Sequence, residues 1–387
     1  MIPRLAVPTL ERLAKGFPVL AITGPRQSGK TTLARAVFAG KPYLSLENPQ
    51  EREFAQLDPQ RFLERLTEGA VLDEVQRCPQ LLSWLQQLLD ERKRMGDFIL
   101  TGSAQFDLLA GISQSLAGRV GRVELLPLSG AELDQHGWPA DLDEVLIKGG
   151  YPALYDRELS AQDWFPNYVA TYLERDVRQL MAVHNVSQFH LFVRMCAARS
   201  GQLLNLSALG ADCGISAVTA SKWLSVLETS YLVMRLPPYH RNFGKRLVKT
   251  PKLYFLDVGL MAWLLGIKNT TTLETHPARG ALFETWVVSE LVKKNFNTGQ
   301  AAELFFWRDN VGHEVDVLLE TPRGLQAIEI KSGRTFASDW PVAALKWTGF
   351  SDVPILPPRI VYGGAGSFQR QGCEVQGWRE FALSLAA

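Results

Sequence analysis

The sequence predicts an α/β chain: a parallel sheet at the amino end, then a helical stretch with a winged-helix pattern, then a second α/β domain. Three observations predict this. A strand-length apolar run, Pro18–Thr23, leads through a glycine-rich loop into an amphipathic stretch, Leu33–Phe38, the strand, loop and helix of a βα unit. Apolar runs at Tyr43–Leu46, Ala70–Asp73, Phe98–Thr101 and Val123–Leu126 alternate with helical segments, which argues for parallel strands covered by helices. Near the carboxyl end, His313–Glu320 and Leu325–Lys331 alternate polar and apolar residues around the turn sequence Thr321–Gly324, a β-hairpin with a four-residue loop. The expected domains are 1–150, 151–268 and 269–387.

A chain of 387 residues is too long for one ordinary core, so several domains are the physical expectation. With 46% hydrophobic and 21% charged residues it has the balance of a folded globular protein. A formal net charge of +1 excludes a global field that drives the chain onto nucleic acid; any basic surface must be local. Cys78, Cys196, Cys213 and Cys373 are scattered, with no C-x-x-C pair, and are expected as free buried thiols. Met1–Arg4 lacks the apolar run of a signal peptide, and the longest apolar stretch, Val258–Ile267, falls short of a membrane span. A cytoplasmic location with no membrane partner is expected.

The loop after the first strand reads Gly24-Pro25-Arg26-Gln27-Ser28-Gly29-Lys30-Thr31, followed by Thr32, and matches G-x-x-x-x-G-K-[ST] between a strand and a helix. Glycines at these positions let backbone N–H groups wrap phosphates at a helix N-terminus, Lys30 reaches the outer phosphates, and the Thr31 hydroxyl suits Mg²⁺. Gly24 through Thr32 are therefore the candidate ATP-binding residues. Asp73, at the end of the run Ala70–Leu72, is the candidate carboxylate on the Mg²⁺ side. Glu74 follows it as the group that polarises the attacking water. Ser103 or Thr101, at the carboxyl end of another expected strand, is placed to sense the γ-phosphate.

These motifs, together with Leu100–Ser103, Ser115–Arg119, Leu126–Ser129 and Gly149-Gly150-Tyr151-Pro152, resemble a large prokaryotic family of AAA-type ATPases with a carboxyl-terminal domain of unknown function. The resemblance implies a homo-oligomer with nucleotide between subunits, completed by a neighbour's arginine. Arg119 is the first candidate for that arginine and Arg122 the second. A similar Arg-Asp pair in the family points to Arg175, in the helical run Trp164–Leu180, as a lid residue or else a surface ion pair.

From Leu204 the pattern is helix, a turn with Cys213-Gly214-Ile215, a second helix after Ser216, then a strand pair, which fits a winged helix-turn-helix. Its second helix offers Thr219, Ser221 and Lys222, too little for strong sequence reading. Between the two strands lie Arg241, Lys245, Arg246, Lys249 and Lys252 with no acid among them, a local cationic patch able to meet DNA phosphates.

If residues 320 and 325 close the carboxyl-terminal hairpin, Asp316 stands opposite Glu329, with Lys331 on the same face. Two facing carboxylates repel unless a proton, a cation or a divalent metal lies between them. Glu284, in the expected helix Ala281–Lys293, shares a face with Val287, Val288 and Leu291, and a carboxylate on an apolar stripe needs a partner. Helix Glu, strand Asp and Glu-x-Lys resemble the PD-(D/E)xK core of restriction enzymes and Holliday-junction resolvases. That resemblance implies Mg²⁺ or Mn²⁺ at Asp316 and Glu329 and catalysis by Glu284, Asp316, Glu329 and Lys331. The reading is an ATP-hydrolysing oligomer acting on DNA, extending to cleavage of branched or structured substrates; the alternative is a nucleotide switch whose nuclease-like domain only docks partners.

Overall fold

A computed structural model describes residues 2–103, 116–157, 159–173, 186–239, 249–300, 303–309, 311–349 and 354–386. These group into two compact units: Met1–Leu128 with Thr229–Tyr231 and Asn295–Gln300, and Ser129–Glu228 with Leu232–Lys294 and Ala301–Ala387.

In the first unit, β1 (Val19–Thr23), β2 (Tyr43–Ser45), β3 (Ala70–Asp73), β4 (Phe98–Thr101) and β5 (Val120–Glu124) form a sheet in the order β2-β3-β4-β1-β5, every pair parallel. The inner strands β1, β3 and β4 are buried at every residue, as strands covered on both faces must be. On one face Phe62, Leu81, Leu85 and Phe98 pack together, drawn partly from helices Pro59–Glu64 and Leu81–Arg92. On the other, Leu10 of α1 (Val7–Ala14) and Leu33 of α2 (Lys30–Val37) meet Leu20, Ile22 and Ile99. The fifth strand starts and ends earlier than the apolar run Val123–Leu126 suggests. Its pairing with β1 runs from Val19↔Val120 to Thr23↔Glu124, and Leu125 and Leu126 are a buried continuation beyond it.

The second unit holds helices Val186–Ala198, Leu206–Asp212 and Ala217–Thr229, and the antiparallel pair β6 (Val233–Leu236) and β7 (Lys252–Phe255). Its larger sheet is mixed, in the order β12-β13-β11-β10-β9-β8, with β8 (Leu304–Arg308), β9 (Glu314–Thr321), β10 (Gly324–Lys331), β11 (Arg359–Tyr362), β12 (Ser367–Arg370) and β13 (Cys373–Gly377). The expected hairpin register holds: Leu325 pairs with Glu320 and Ile328 with Val317. Pairing also runs one step further, to Gly324↔Thr321, which shortens the expected four-residue loop to Pro322 and Arg323. Gly324 permits this with φ 134°; a Cβ there would lie 2.4 Å from the Pro354 carbonyl.

The Gly149-Gly150 pair has a packing role. Gly150 N donates to Asp257 Oδ2 at 2.8 Å, and a Cβ on Gly149, at φ 68°, would sit 2.5 Å from Asp257 Oδ1. Asp257 also caps helix Val258–Leu264 by accepting from Leu260 N. All four cysteines are buried free thiols. Among the described residues no helix is long and apolar enough to cross a membrane.

Candidate functional sites

The phosphate loop leaves the carboxyl end of β1 and enters α2. Gly24 has φ 149°, and a Cβ there would lie 2.2 Å from the Leu125 carbonyl oxygen, so only glycine fits. Gln27 and Gly29 take φ 60° and 93°, the left-handed steps that curl a backbone around an anion. Lys30, buried at the first helical position, donates to the carbonyls of Gly24 at 3.2 Å and Pro25 at 2.7 Å.

The carboxylate of Asp73 converges on the same place. Its Oδ1 accepts from Thr31 Oγ1 at 2.8 Å and from Thr101 Oγ1, and its Oδ2 accepts from Tyr43 OH at 2.8 Å. Parallel register makes this possible, because Ser45↔Asp73 and Leu72↔Leu100 bring three strand ends side by side. Burial and the Asp73 carboxylate push the Tyr43 phenol up to about 12. Glu74 sits just beyond at φ 56°. Burial raises its pKa above the usual range, opposed by Lys30 and Arg26. Gln76 Nε2 donates to the Glu74 carboxylate and, at 2.9 Å, to Ser103 Oγ, linking the water-side and γ-phosphate-side candidates. Tyr43 and Gln76 were not legible as site residues, since only the register and the turn after β3 bring them in.

Arg119 lies at the amino end of the sheet, its carbonyl accepting from Val19 N. At about 3.3 Å per residue it stands roughly 16 Å from the loop that follows Thr23. Its guanidinium holds Asp90 through Nε at 2.7 Å and Nη2 at 2.9 Å. Arg122 pairs with Glu124 at 3.5 Å. Arg119 therefore lies at the end of the strand away from the phosphate loop of its own chain, whereas Arg122 lies opposite Ala21, nearer to it. Ser115 and Arg175 lie outside the described residues.

In the second unit, a carboxylate cluster gathers on β9, β10 and the part of helix Arg279–Thr298 that runs to Lys294. Asp316 Oδ2 accepts from Ile330 N at 2.8 Å. Lys331 Nζ donates to Glu329 Oε2 at 3.0 Å, while Glu329 Oε1 is buried without a hydrogen-bond partner among the described residues. Burial, then the Asp316 charge, push the Glu329 carboxyl up to about 8 against the opposing Lys331; the same two causes raise Glu284. The unforeseen member is Lys252. Expected as an exposed wing cation, it is buried at 3% exposure. Its ammonium lies 3.2 Å from Glu284 Oε1 and also against Glu314. Tyr254, two residues on in β7, donates to Glu284 as well. β7 begins at Lys252, paired with Leu236, so the residue belongs to the strand rather than the loop. Lys249 is exposed; Arg241, Lys245 and Arg246 fall outside the described residues. Among the described residues no group of three or more His, Cys, Asp or Glu side chains is placed to hold a metal ion.

The sheet order, the loop and the Thr31–Asp73 contact together define an AAA-type, ATPase-like domain, and residues 16–133 match the AAA domain family. Residues 139–271 and 279–380 match two domains of unknown function, DUF8612 and DUF4143. Over 368 residues the chain is 33% identical to the uncharacterized protein Rv2008c of Mycobacterium tuberculosis, spanning 94% of this chain and 81% of that one. The uncharacterized protein Mb2031c of Mycobacterium bovis matches to the same extent. The chain belongs to the family of these two mycobacterial proteins. Among solved structures, a Walker-type ATPase of Pyrococcus abyssi is similar with TM-score 0.43 and 16% identity, over 67% of this chain and 94% of that one. A RuvB variant of Thermotoga maritima follows with TM-score 0.29 and 18% identity, over 60% and 89%.

Proposed function

We propose that the first unit binds and hydrolyses ATP, and that the chain works as a homo-oligomer on DNA. The observation that carries the first part is the 2.8 Å contact of Thr31 Oγ1 with Asp73 Oδ1. A hydroxyl and a carboxylate so placed are hard oxygen donors suited to Mg²⁺; the bound ion would neutralise charge on the outer phosphate oxygens. Gly24 through Thr32 cradle the phosphates, Lys30 turns from the loop carbonyls to the outer phosphates, and Glu74 orients water, with Ser103 or Thr101 at the γ-phosphate. Arg119, or Arg122, is proposed to complete a neighbour's site once released from its acidic partner.

The DNA part rests on two helices followed by a β-pair and on the cations of the intervening segment, now without Lys252. Neutralising Arg241, Lys245, Arg246 and Lys249 together should weaken DNA binding equally for all sequences and flatten the salt dependence by roughly 1 per lost phosphate contact. An unchanged slope, or ATP turnover that DNA fails to stimulate, counts against this part.

For the domain proposed at 269–387, Lys252 favours the docking reading over cleavage. Its ammonium occupies Glu284, the helix acid that a PD-(D/E)xK site would use, together with Glu314, while Lys331 pairs with Glu329. Full-length protein mixed with linear, forked, four-way and RNA substrates in Mg²⁺ or Mn²⁺ tests it; cleavage abolished by Asp316→Ala would restore the nuclease reading.

A further inference from the structure

Arg4 lies before α1, outside every motif of the nucleotide site, yet it is 7% exposed and its guanidinium ends on the phosphate loop. Nη1 donates to the Ser28 carbonyl at 2.8 Å and Nη2 to the Leu126 carbonyl at 2.7 Å. One planar fork therefore ties the loop to the chain leaving β5. A guanidinium meets the two carbonyls with two coplanar N–H donors at a fixed spacing, which an ammonium, a single nitrogen on a flexible stem, does not reproduce.

The Ser28 carbonyl shares its peptide plane with the Gly29 N–H. In a trans peptide the C=O and N–H point in opposite directions, so holding one aims the other. Gly29 is the left-handed residue, φ 93°, that caps α2, and its N–H belongs to the group that receives phosphate at a helix start. A glycine peptide can flip at little steric cost, so its direction needs an outside constraint. The Ser28 side chain adds an independent sign that the loop is set for a ligand, since Ser28 is fully buried and its Oγ has no hydrogen-bond partner among the described residues.

We propose that Arg4 is a positioning residue of the nucleotide site: it pins the Ser28 carbonyl so that the Gly29 N–H stays turned into the phosphate-binding concavity. This rests on the ATP-binding reading above. Its consequence is specific to phosphate recognition. Losing Arg4 lets the 28–29 peptide rotate, and each bound nucleotide must then restore the orientation, which weakens binding without altering the groups that act on water.

The test uses the full chain and fluorescent ADP and ATP, with Arg4→Met and Arg4→Lys beside the wild type, together with steady-state turnover and melting temperature. Both variants should bind ADP and ATP roughly tenfold more weakly, equivalent to about 1.4 kcal/mol, and raise KM while kcat at saturation stays within about twofold. Arg4→Lys keeps the charge and gives up the fixed spacing of the two N–H donors that sets the Ser28 carbonyl, so it decides the matter if Arg4→Met does not fold. Wild-type affinity in a folded Arg4→Lys overturns the positioning role, even if the melting temperature falls, since a merely structural arginine changes stability and leaves affinity alone. A wild type that binds neither nucleotide overturns the ATP-binding reading and this inference with it, an outcome the variants cannot imitate.

Discussion

Lys252 Nζ stands 3.2 Å from Glu284 Oε1, joining the β6–β7 pair to the long helix Arg279–Thr298 through an ion pair of which the lysine is almost wholly out of water. Replacing Lys252 by methionine keeps the stem and removes the charge, leaving Glu284 and Glu314 without their shared cation. Breaking one side of a buried pair costs about 3 kcal/mol. Urea unfolding should show that loss, and Glu284→Gln in the same chain should recover part of it. No loss in Lys252→Met would mean the pair is not formed in solution.

The protonation of Glu329 makes stability depend on pH. Its folded carboxyl, pushed up to about 8 by burial and Asp316, lies above the unfolded value of about 4.3. The folded chain therefore holds a proton that the unfolded chain has released. The stabilisation is fully present below about pH 4.3 and is lost as pH rises through 8, with a slope of at most about −1.4 kcal/mol per pH unit. Glu329→Gln should remove this slope, so the difference between wild type and variant, measured by denaturant midpoint from pH 5 to 9, should tilt. A flat difference would assign the proton to another carboxylate.

Glu74 carries the corresponding prediction for turnover. Burial raises its pKa, so the acid limb of kcat should lie at higher pH than for a solvent-exposed glutamate. Glu74→Gln should bind ATP normally, turn over roughly 100-fold more slowly or worse, and lose that limb. Lys30→Ala should lose nucleotide binding itself. Undiminished turnover in Glu74→Gln removes it from the mechanism.

Gly149→Ala places a methyl 2.5 Å from Asp257 Oδ1 at a φ of 68°. Strain and displacement of a buried, hydrogen-bonded carboxylate should cost about 3 kcal/mol. The melting temperature should fall by several degrees; an unchanged one would show that the glycine pair is not needed for this packing.

Much of the candidate nucleotide site is legible in the sequence, because its pattern is local. Gly24, Gly29, Lys30 and Thr31 are close in sequence, and Asp73 and Glu74 end an apolar run of recognisable length. The hairpin register was legible for the same reason: a turn between alternating segments leaves little freedom in which residues face each other. The end of β5 was misread because Leu125 and Leu126 are buried without belonging to the strand. Lys252 was misread because a lysine near a loop has the same letter whether it meets water or carboxylates.

The sequence by itself determined the glycine-rich loop, the alternation that makes a parallel sheet and the hairpin register as far as Val317 opposite Ile328. Only the tertiary structure decided that Tyr43 and Thr101 share the Asp73 carboxylate, that Arg4 grips the Ser28 carbonyl, that Gly149 and Gly150 wrap Asp257, and that Lys252 closes on Glu284. The reason is physical. Periodicity and turn chemistry act over a few residues and leave a mark in the chain, whereas a hydrogen bond or ion pair between distant segments depends on where packing brings them together, and neither partner alone announces the other.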